Sequence, residues 1–189
     1  MSSPILLHPS PGAGFDAPFE MLAACHERVE RMLGLLQRLQ AHLRAVGADA
    51  DACQAARDVM RYFDLAAPHH HEDEERHVLP RLRDSGDAAL VALAERLLDE
   101  HRAMAAAWAD LRPGLDGLAG GRWPAEAEAA AFDRWAAFDA LYRGHLAAED
   151  GTAYPQAARR IAAAELPAIG AEMAARRGAS PATAAPAAR

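Results

Sequence analysis

An internal repeat with a period of 75 residues is the feature that most limits how this chain can fold. When the sequence is shifted by that period, two histidines of the first half fall on histidines of the second. Composition alone would give roughly a quarter of one such match at any chosen offset. The aligned pairs are His26 with His101, His70 with His145, Glu74 with Glu149, Pro80 with Pro155 and Phe63-Asp64 with Phe138-Asp139. We interpret the two halves as copies of one helical hairpin, because the period is too long for a solenoid.

Apolar spacing predicts that the repeated unit is a pair of helices. In the first helix, apolar residues recur three and four positions apart from Leu22 to Leu43. The composition agrees, since the chain is rich in alanine and only 6% aromatic. No segment alternates as a strand would. Helices are predicted at about 18–46, 51–84, 87–112, 124–161 and 163–176, with Pro68 kinking or restarting the second and Pro113-Gly114 ending the third.

Four long helices with short connections predict an all-α fold, an antiparallel up-down four-helix bundle built from two repeated helical hairpins. The bundle is predicted at 18–161, and a short C-terminal accessory helix follows at 162–177. Residues 1–17 are rich in Pro, Gly and Ser, so we expect an irregular N-terminal arm. The low-complexity segment 178–189 is predicted to be a disordered tail.

Charge and hydropathy exclude several classes of partner. The net charge is −7, and the basic residues form no stripe with interleaved aromatics, so we expect no nucleic-acid partner. No apolar run is long enough to span a bilayer, and the first residues lack the pattern of a signal peptide. We therefore expect a cytoplasmic protein with no membrane partner, as a monomer or weak homodimer. Cys25 and Cys53 are expected to be reduced.

The run PHHHEDEERHVLP, from Pro68 to Pro80, concentrates four of the nine histidines. The repeat selects one of them, because His70 alone has a histidine partner in the second copy. His69 and His71 lie about 100° to either side of it on a helix, so the three cannot share a face. Glu74 is one turn further on and shares the face of His70.

A solvated charged face is the competing interpretation of this run. It accounts for the remaining charged residues, which are Glu72, Asp73, Glu75 and Arg76. It does not account for the repeat. We expect His69 and His71 to lie on the surface or to be hydrogen-bonded within the core.

The repeat directs four imidazoles and two carboxylates, from four helices, at one core. These residues are His26, His70, Glu74, His101, His145 and Glu149. Without partners they would cost several kcal/mol each, and a metal removes that cost. Imidazole mixed with carboxylate suits Fe, Mn, Zn or Cu. Two carboxylates among four imidazoles suit a dinuclear site in which each glutamate bridges both ions. An oxo or hydroxo bridge then gives each ion five ligands and leaves one coordination position open.

The same residues resemble the hemerythrin-like HHE cation-binding family over about 18–161. The motifs are CHERV at 25–29, HHHEDEERHVLP at 69–80, DEH at 99–101 and HLAAEDGTAYP at 145–155. The resemblance implies a four-helix bundle holding two Fe ions, with Zn or Mn possible by substitution. Oxygen-carrying members have a fifth histidine where this chain has Ala105, and an aspartate where it has Asp150. Because Glu149 fits the repeat better, the chain looks more similar to bacterial repair and sensing members.

By the pseudo-symmetry we pair His26 with His70 on one ion and His101 with His145 on the other. Residues that lie near enough in the helical pattern to assist them are Glu30, His77, Tyr142 and Asp150. The expected function is binding or sensing of O₂, NO or peroxide at an open iron position, or a stress response. Two alternatives stay open: an enzyme for peroxide or NO turnover or substrate oxidation, and iron storage or delivery for iron-centre repair.

Overall fold

The structure, a computed structural model, describes residues 14–179, and helices make up most of that range. They are α1 Pro18–Ala45, α2 Ala50–His77, α3 Leu79–Arg83, α4 Ala88–Ala119, α5 Glu128–Ala148, α6 Tyr154–Ala158 and α7 Leu166–Arg176. A π-helical turn, Glu149–Ala153, joins α5 to α6, and 3₁₀ turns lie at Ala125–Ala127 and Ala163–Glu165. Strands are absent from the described range, which confirms the all-helical prediction. Most of the predicted arm and tail, 1–13 and 180–189, lies outside it.

The four long helices contact one another in a closed ring. α1 packs against α2 and α5, and α4 packs against the same two helices. The short helix α3 contacts α4 and α6, and α7 contacts α1. Between residues 14 and 179 no helix is both long and apolar enough to cross a membrane.

Two apolar clusters divide the core along the helices. The large cluster is built from residues such as Val29, Phe63, Met104 and Phe138. The small cluster is built from residues such as Leu22, Val78, Leu97 and Ala153. On α1, α2 and α4 the buried polar residues lie between these two sets in the sequence. The core is therefore two apolar blocks with a polar layer where the helices pass from one to the other.

Two aspartates begin the second and fourth helices. The Asp49 carboxylate accepts a hydrogen bond from the backbone N–H of Ala52 at 2.9 Å. The Asp87 carboxylate accepts one from Ala89 at 2.8 Å, just where the sequence predicts a new helix. Each satisfies a backbone donor that the first helical turn leaves free.

Prolines interrupt the helices less than predicted. α2 runs through Pro68 without a break, and α4 continues through Pro113, so the predicted end of the third helix at that proline is wrong. Both prolines are exposed. Leu111, Leu115 and Leu118 are buried on the other face of α4. This burial offsets the hydrogen bond that a proline removes.

Helix α7 is held against α2 beside the polar layer. The Asp73 carboxylate is fully buried and receives the guanidinium groups of Arg176 and, at 2.6 Å, Arg177. Gly170 lies so close to the chain before α1 that a Cβ there would sit 1.6 Å from the carbonyl oxygen of Phe15. The solvated face predicted for Asp73 is wrong because α7 covers this side of α2.

Candidate metal centre

The polar layer contains the six residues selected by the repeat, each at most 4% exposed. Their side-chain donors form two groups of four, and within each group one donor per residue lies within 4.8 Å of the others. One group is His26, His70, Glu74 and Glu149, and the other is Glu74, His101, His145 and Glu149. The two histidine pairs expected from the pseudo-symmetry are brought together, and both glutamates belong to both groups.

Each glutamate presents one oxygen to each histidine pair. Glu149 Oε2 lies 3.2 Å from His26 Nε2, and Glu149 Oε1 lies 3.1 Å from His145 Nε2. Glu74 Oε1 lies 3.3 Å from His70 Nε2, and Glu74 Oε2 lies 3.4 Å from His101 Nε2. This is the arrangement that a carboxylate bridging two cations requires.

Three of the histidines are fixed from outside by carboxylates. His26 Nδ1 lies 2.8 Å from Asp150, His101 Nδ1 lies 2.9 Å from Glu75, and His145 Nδ1 lies 2.9 Å from Glu100. A carboxylate accepts hydrogen bonds, so each Nδ1 carries the proton and donates. The Nε2 lone pair is then directed into the site, as in metal-bound histidines.

Unpaired atoms in the layer test whether a metal fits. Within residues 14–179, neither nitrogen of His70 and neither carboxylate oxygen of Glu149 has a hydrogen-bond partner. His101 Nε2 and His145 Nε2 face each other at 3.1 Å, although both lone pairs point inward. Buried acceptors are nearly always paired, and a bound cation would pair the Glu149 oxygens and the unprotonated nitrogen of His70. The donor set, imidazole with carboxylate, is one that a transition metal accepts.

The electrostatics of the layer also call for positive charge. Burial, together with the neighbouring Glu74 carboxylate, raises the pKa of Glu149. Burial alone would lower the pKa of His26, but Glu149 and Glu74 outweigh it and raise the pKa of His26 to about 10. Burial, with the nearby imidazoles, lowers the pKa of His70 to about 4. Without a metal ion, Glu149 and His26 thus hold their protons more strongly than isolated side chains do.

The four other residues that were predicted to assist the ligands lie at different distances from the polar layer. Asp150 accepts a hydrogen bond from His26 Nδ1, as described above. Tyr142 is buried in the aromatic cluster, with its ring centroid 4.9 Å from that of Phe138. Glu30 is exposed, and His77 pairs at 2.7 Å with Glu172 of α7. Glu30 and His77 belong to neither group of donors.

His71 is one residue that the sequence analysis placed wrongly. Its ring stacks on that of His101, with centroids 4.1 Å apart and planes 7° from parallel. Its Nε2 is buried and has no partner among the described residues. It was expected on the surface or hydrogen-bonded in the core, but α4 covers the adjacent face of α2.

Tyr154 is a second residue that the sequence analysis missed. Its hydroxyl lies 2.7 Å from His26 Nε2 and donates to Glu74 Oε1, and its ring stacks on His26. Burial, with the nearby carboxylates, raises its pKa. Five residues along an α-helix turn the chain about 140° away from Glu149. The π-helical turn, closed by the Tyr154 N–H on the Glu149 carbonyl, brings both to the site.

Comparison with known proteins agrees with this geometry. A family model described as the hemerythrin HHE cation binding domain matches residues 17–157. An uncharacterized protein of Haemophilus influenzae (strain ATCC 51907 / DSM 11121 / KW20 / Rd) is 36% identical over 77 residues. Those residues are 41% of this chain and 45% of that protein, so the match spans less than half of the relative.

Proposed function

Because this chain belongs to the hemerythrin HHE cation-binding domain family, we propose that its polar layer holds two iron ions. His26 and His70 would hold one ion, His101 and His145 would hold the other, and Glu74 and Glu149 would each contribute an oxygen to both. The observation that carries this proposal is the orientation of the glutamates, each with one oxygen toward each histidine pair. Zinc or manganese can occupy the same donors, since affinity alone does not select iron.

The alternating direction of the four long helices is part of the same proposal. His26 lies near the beginning of α1, whereas His70 lies near the end of α2. The two rings nevertheless contact each other, with centroids 5.0 Å apart. This contact supports opposite directions for α1 and α2, as an up-down bundle requires.

The ions, when bound, supply a redox couple and an open coordination position for O₂, NO or peroxide. The chain supplies the rest. Asp150, Glu75 and Glu100 hold the imidazoles in the tautomer that presents Nε2 inward. The large and small apolar clusters close the layer on both sides and exclude bulk water.

Burial favours a small ligand over an organic substrate. All six ligand residues are almost inaccessible, at 4% exposure or less. A diatomic molecule or peroxide fits such a layer better than a larger substrate does. We therefore propose binding or sensing of O₂, NO or peroxide as the function. We also propose that the protein acts in the cytoplasm as a monomer or weak homodimer, in line with its two free cysteines.

Anaerobic reduction followed by O₂, NO and peroxide in turn, with the optical spectrum recorded throughout, tests this function. A stable and reversible adduct is expected. Continuous consumption of the added molecule would instead show an enzyme, and release of iron would show storage or delivery. Protein stripped of metal by a chelator is the control, and it should give no spectral response.

A further inference from the structure

We propose that Tyr154 is a seventh protein ligand of the metal centre, bound through its phenol oxygen to the ion held by His26 and His70. This inference rests on the proposed two-ion site. It adds an oxygen donor that neither the repeat nor the His and Glu groups contain.

The position of the hydroxyl carries the assignment. It lies 2.7 Å from His26 Nε2 and contacts Glu74 Oε1. That same glutamate oxygen faces His70 Nε2 at 3.3 Å. Two donors that bind one ion at about 2.1 Å and at right angles lie about 3.0 Å apart. The hydroxyl therefore has the spacing of a neighbouring ligand to the donors of this one ion.

The surroundings hold the ring in place. Tyr154 is 7% exposed, and its ring stacks on His26 with centroids 4.9 Å apart. Phe19 of α1 packs edge-on against it at 6.3 Å. A phenolate is a recognised protein ligand of ferric iron. Its proton is released on binding, as for other ligands that bind metals in the deprotonated form.

The assignment makes the two ions unequal. The residue aligned with Tyr154 in the first copy is Leu79, which has no donor atom. Tyr154 therefore adds a ligand to the ion of His26 and His70 without a counterpart on the other ion. A small molecule would then bind at the ion that His101 and His145 hold, beside the His71 ring that stacks on His101.

The chain offers matched controls, because it contains just three tyrosines. Tyr62 donates its hydroxyl to the carbonyl of Cys25 at 3.3 Å, and Tyr142 packs against Phe138. Ferric protein should show a visible phenolate-to-iron charge-transfer band with enhanced tyrosine ring modes in its resonance Raman spectrum. Tyr154→Phe should lose the band and keep its iron, whereas Tyr62→Phe and Tyr142→Phe should keep both.

If Tyr154→Phe fails to fold, wild-type protein grown with ring-deuterated tyrosine shows whether a tyrosine binds iron, and modes retained in both Tyr62→Phe and Tyr142→Phe assign it to Tyr154. The enhanced modes should shift with the label. Two irons per chain without tyrosine modes, or modes that survive Tyr154→Phe, would overturn the ligand assignment and leave the two-ion site intact. Absence of bound iron in wild-type protein would overturn both proposals.

Discussion

His26, His101 and His145 each place one ring nitrogen on a carboxylate and the other in the polar layer. The repeat relates two of these outer contacts, since Glu75 aligns with Asp150. It does not relate the third, because the residue aligned with Glu100 is Cys25. The pseudo-symmetry of the site therefore extends beyond the six ligands and ends at this cysteine.

Substitution along the histidine run tests which side chain binds metal. His70→Ala should lose at least one ion, whereas His69→Ala and His71→Ala should keep both. The reason is helical geometry, since neighbours in sequence point about 100° apart. The metal content of the three purified variants tests this prediction. Equal losses in all three would mean that α2 does not present His70 as described.

The carboxylates that accept hydrogen bonds from the histidine Nδ1 atoms give a prediction about metal affinity. Glu75→Ala should lower metal affinity by roughly 10–100-fold, because the partner on Nδ1 orients the imidazole and raises its basicity. Glu30→Ala is the matched control, since Glu30 is exposed and outside both donor groups. Competition with a chelator measures both affinities. If the two variants bind metal equally well, Glu75 does not support the site.

The six buried residues of the polar layer could be predicted from the sequence because the repeat contains each type of position in two copies. The repeat identified the six buried residues, and the resemblance pointed to Asp150. Tyr154 gave no signal, because its aligned residue is a leucine and its position depends on the π-helical turn. The positions of His71 and Glu100 beside the site were not predicted, because they depend on how α2, α4 and α5 pack together.

Helix α7 is the element that the bundle pattern alone does not explain. It reaches α2 through Asp73, which comes immediately before Glu74 and receives Arg176 and Arg177. Gly170 allows the chain at Phe15 to approach α7. The accessory helix therefore braces the segment of α2 that carries His70 and Glu74.

Removal of this brace should destabilise the fold. Asp73→Ala should lower the free energy of unfolding by about 3 kcal/mol, since it removes the fully buried carboxylate from Arg177 and leaves Arg176 with its more exposed partners Glu172 and Glu72. Glu95→Ala is the control at a more exposed ion pair with Arg83, away from α7, and it should cost less than about 1 kcal/mol. Urea unfolding of the metal-free proteins gives both values. Similar losses for the two variants would show that α7 is not anchored through Asp73.

The ends of the elements were less predictable than their existence. The apolar spacing predicted the four long helices. Pro113 led to a wrong prediction for the end of α4, because the proline ring faces solvent and the buried leucines continue beyond it. The long helix predicted at 124–161 is divided by the π-helical turn at Glu149–Ala153. Such turns leave little trace in apolar spacing.

At the scale of the whole molecule, the polar layer separates the large apolar cluster from the small one. Metal ions that bind the folded layer stabilise both blocks together. At a free ion concentration about 1,000 times Kd, binding adds about 4 kcal/mol, which shifts the thermal midpoint of a chain of this size by about 10 °C. Thermal unfolding before and after chelation should show this fall and its recovery on adding iron back. An unchanged midpoint would mean that the metal does not link the two clusters.

The two-ion account is tested most directly by the iron content per chain of protein purified from iron-replete cells. The wild type should contain about two irons, because four imidazoles and two bridging carboxylates complete two sites. Glu74→Ala and Glu149→Ala should each lose both, since a bridge serves both ions and offsets their repulsion. His26→Ala and His101→Ala should each leave the other ion partly held. A single iron in the wild type, or a glutamate variant that keeps one iron while a histidine variant keeps none, would contradict the account.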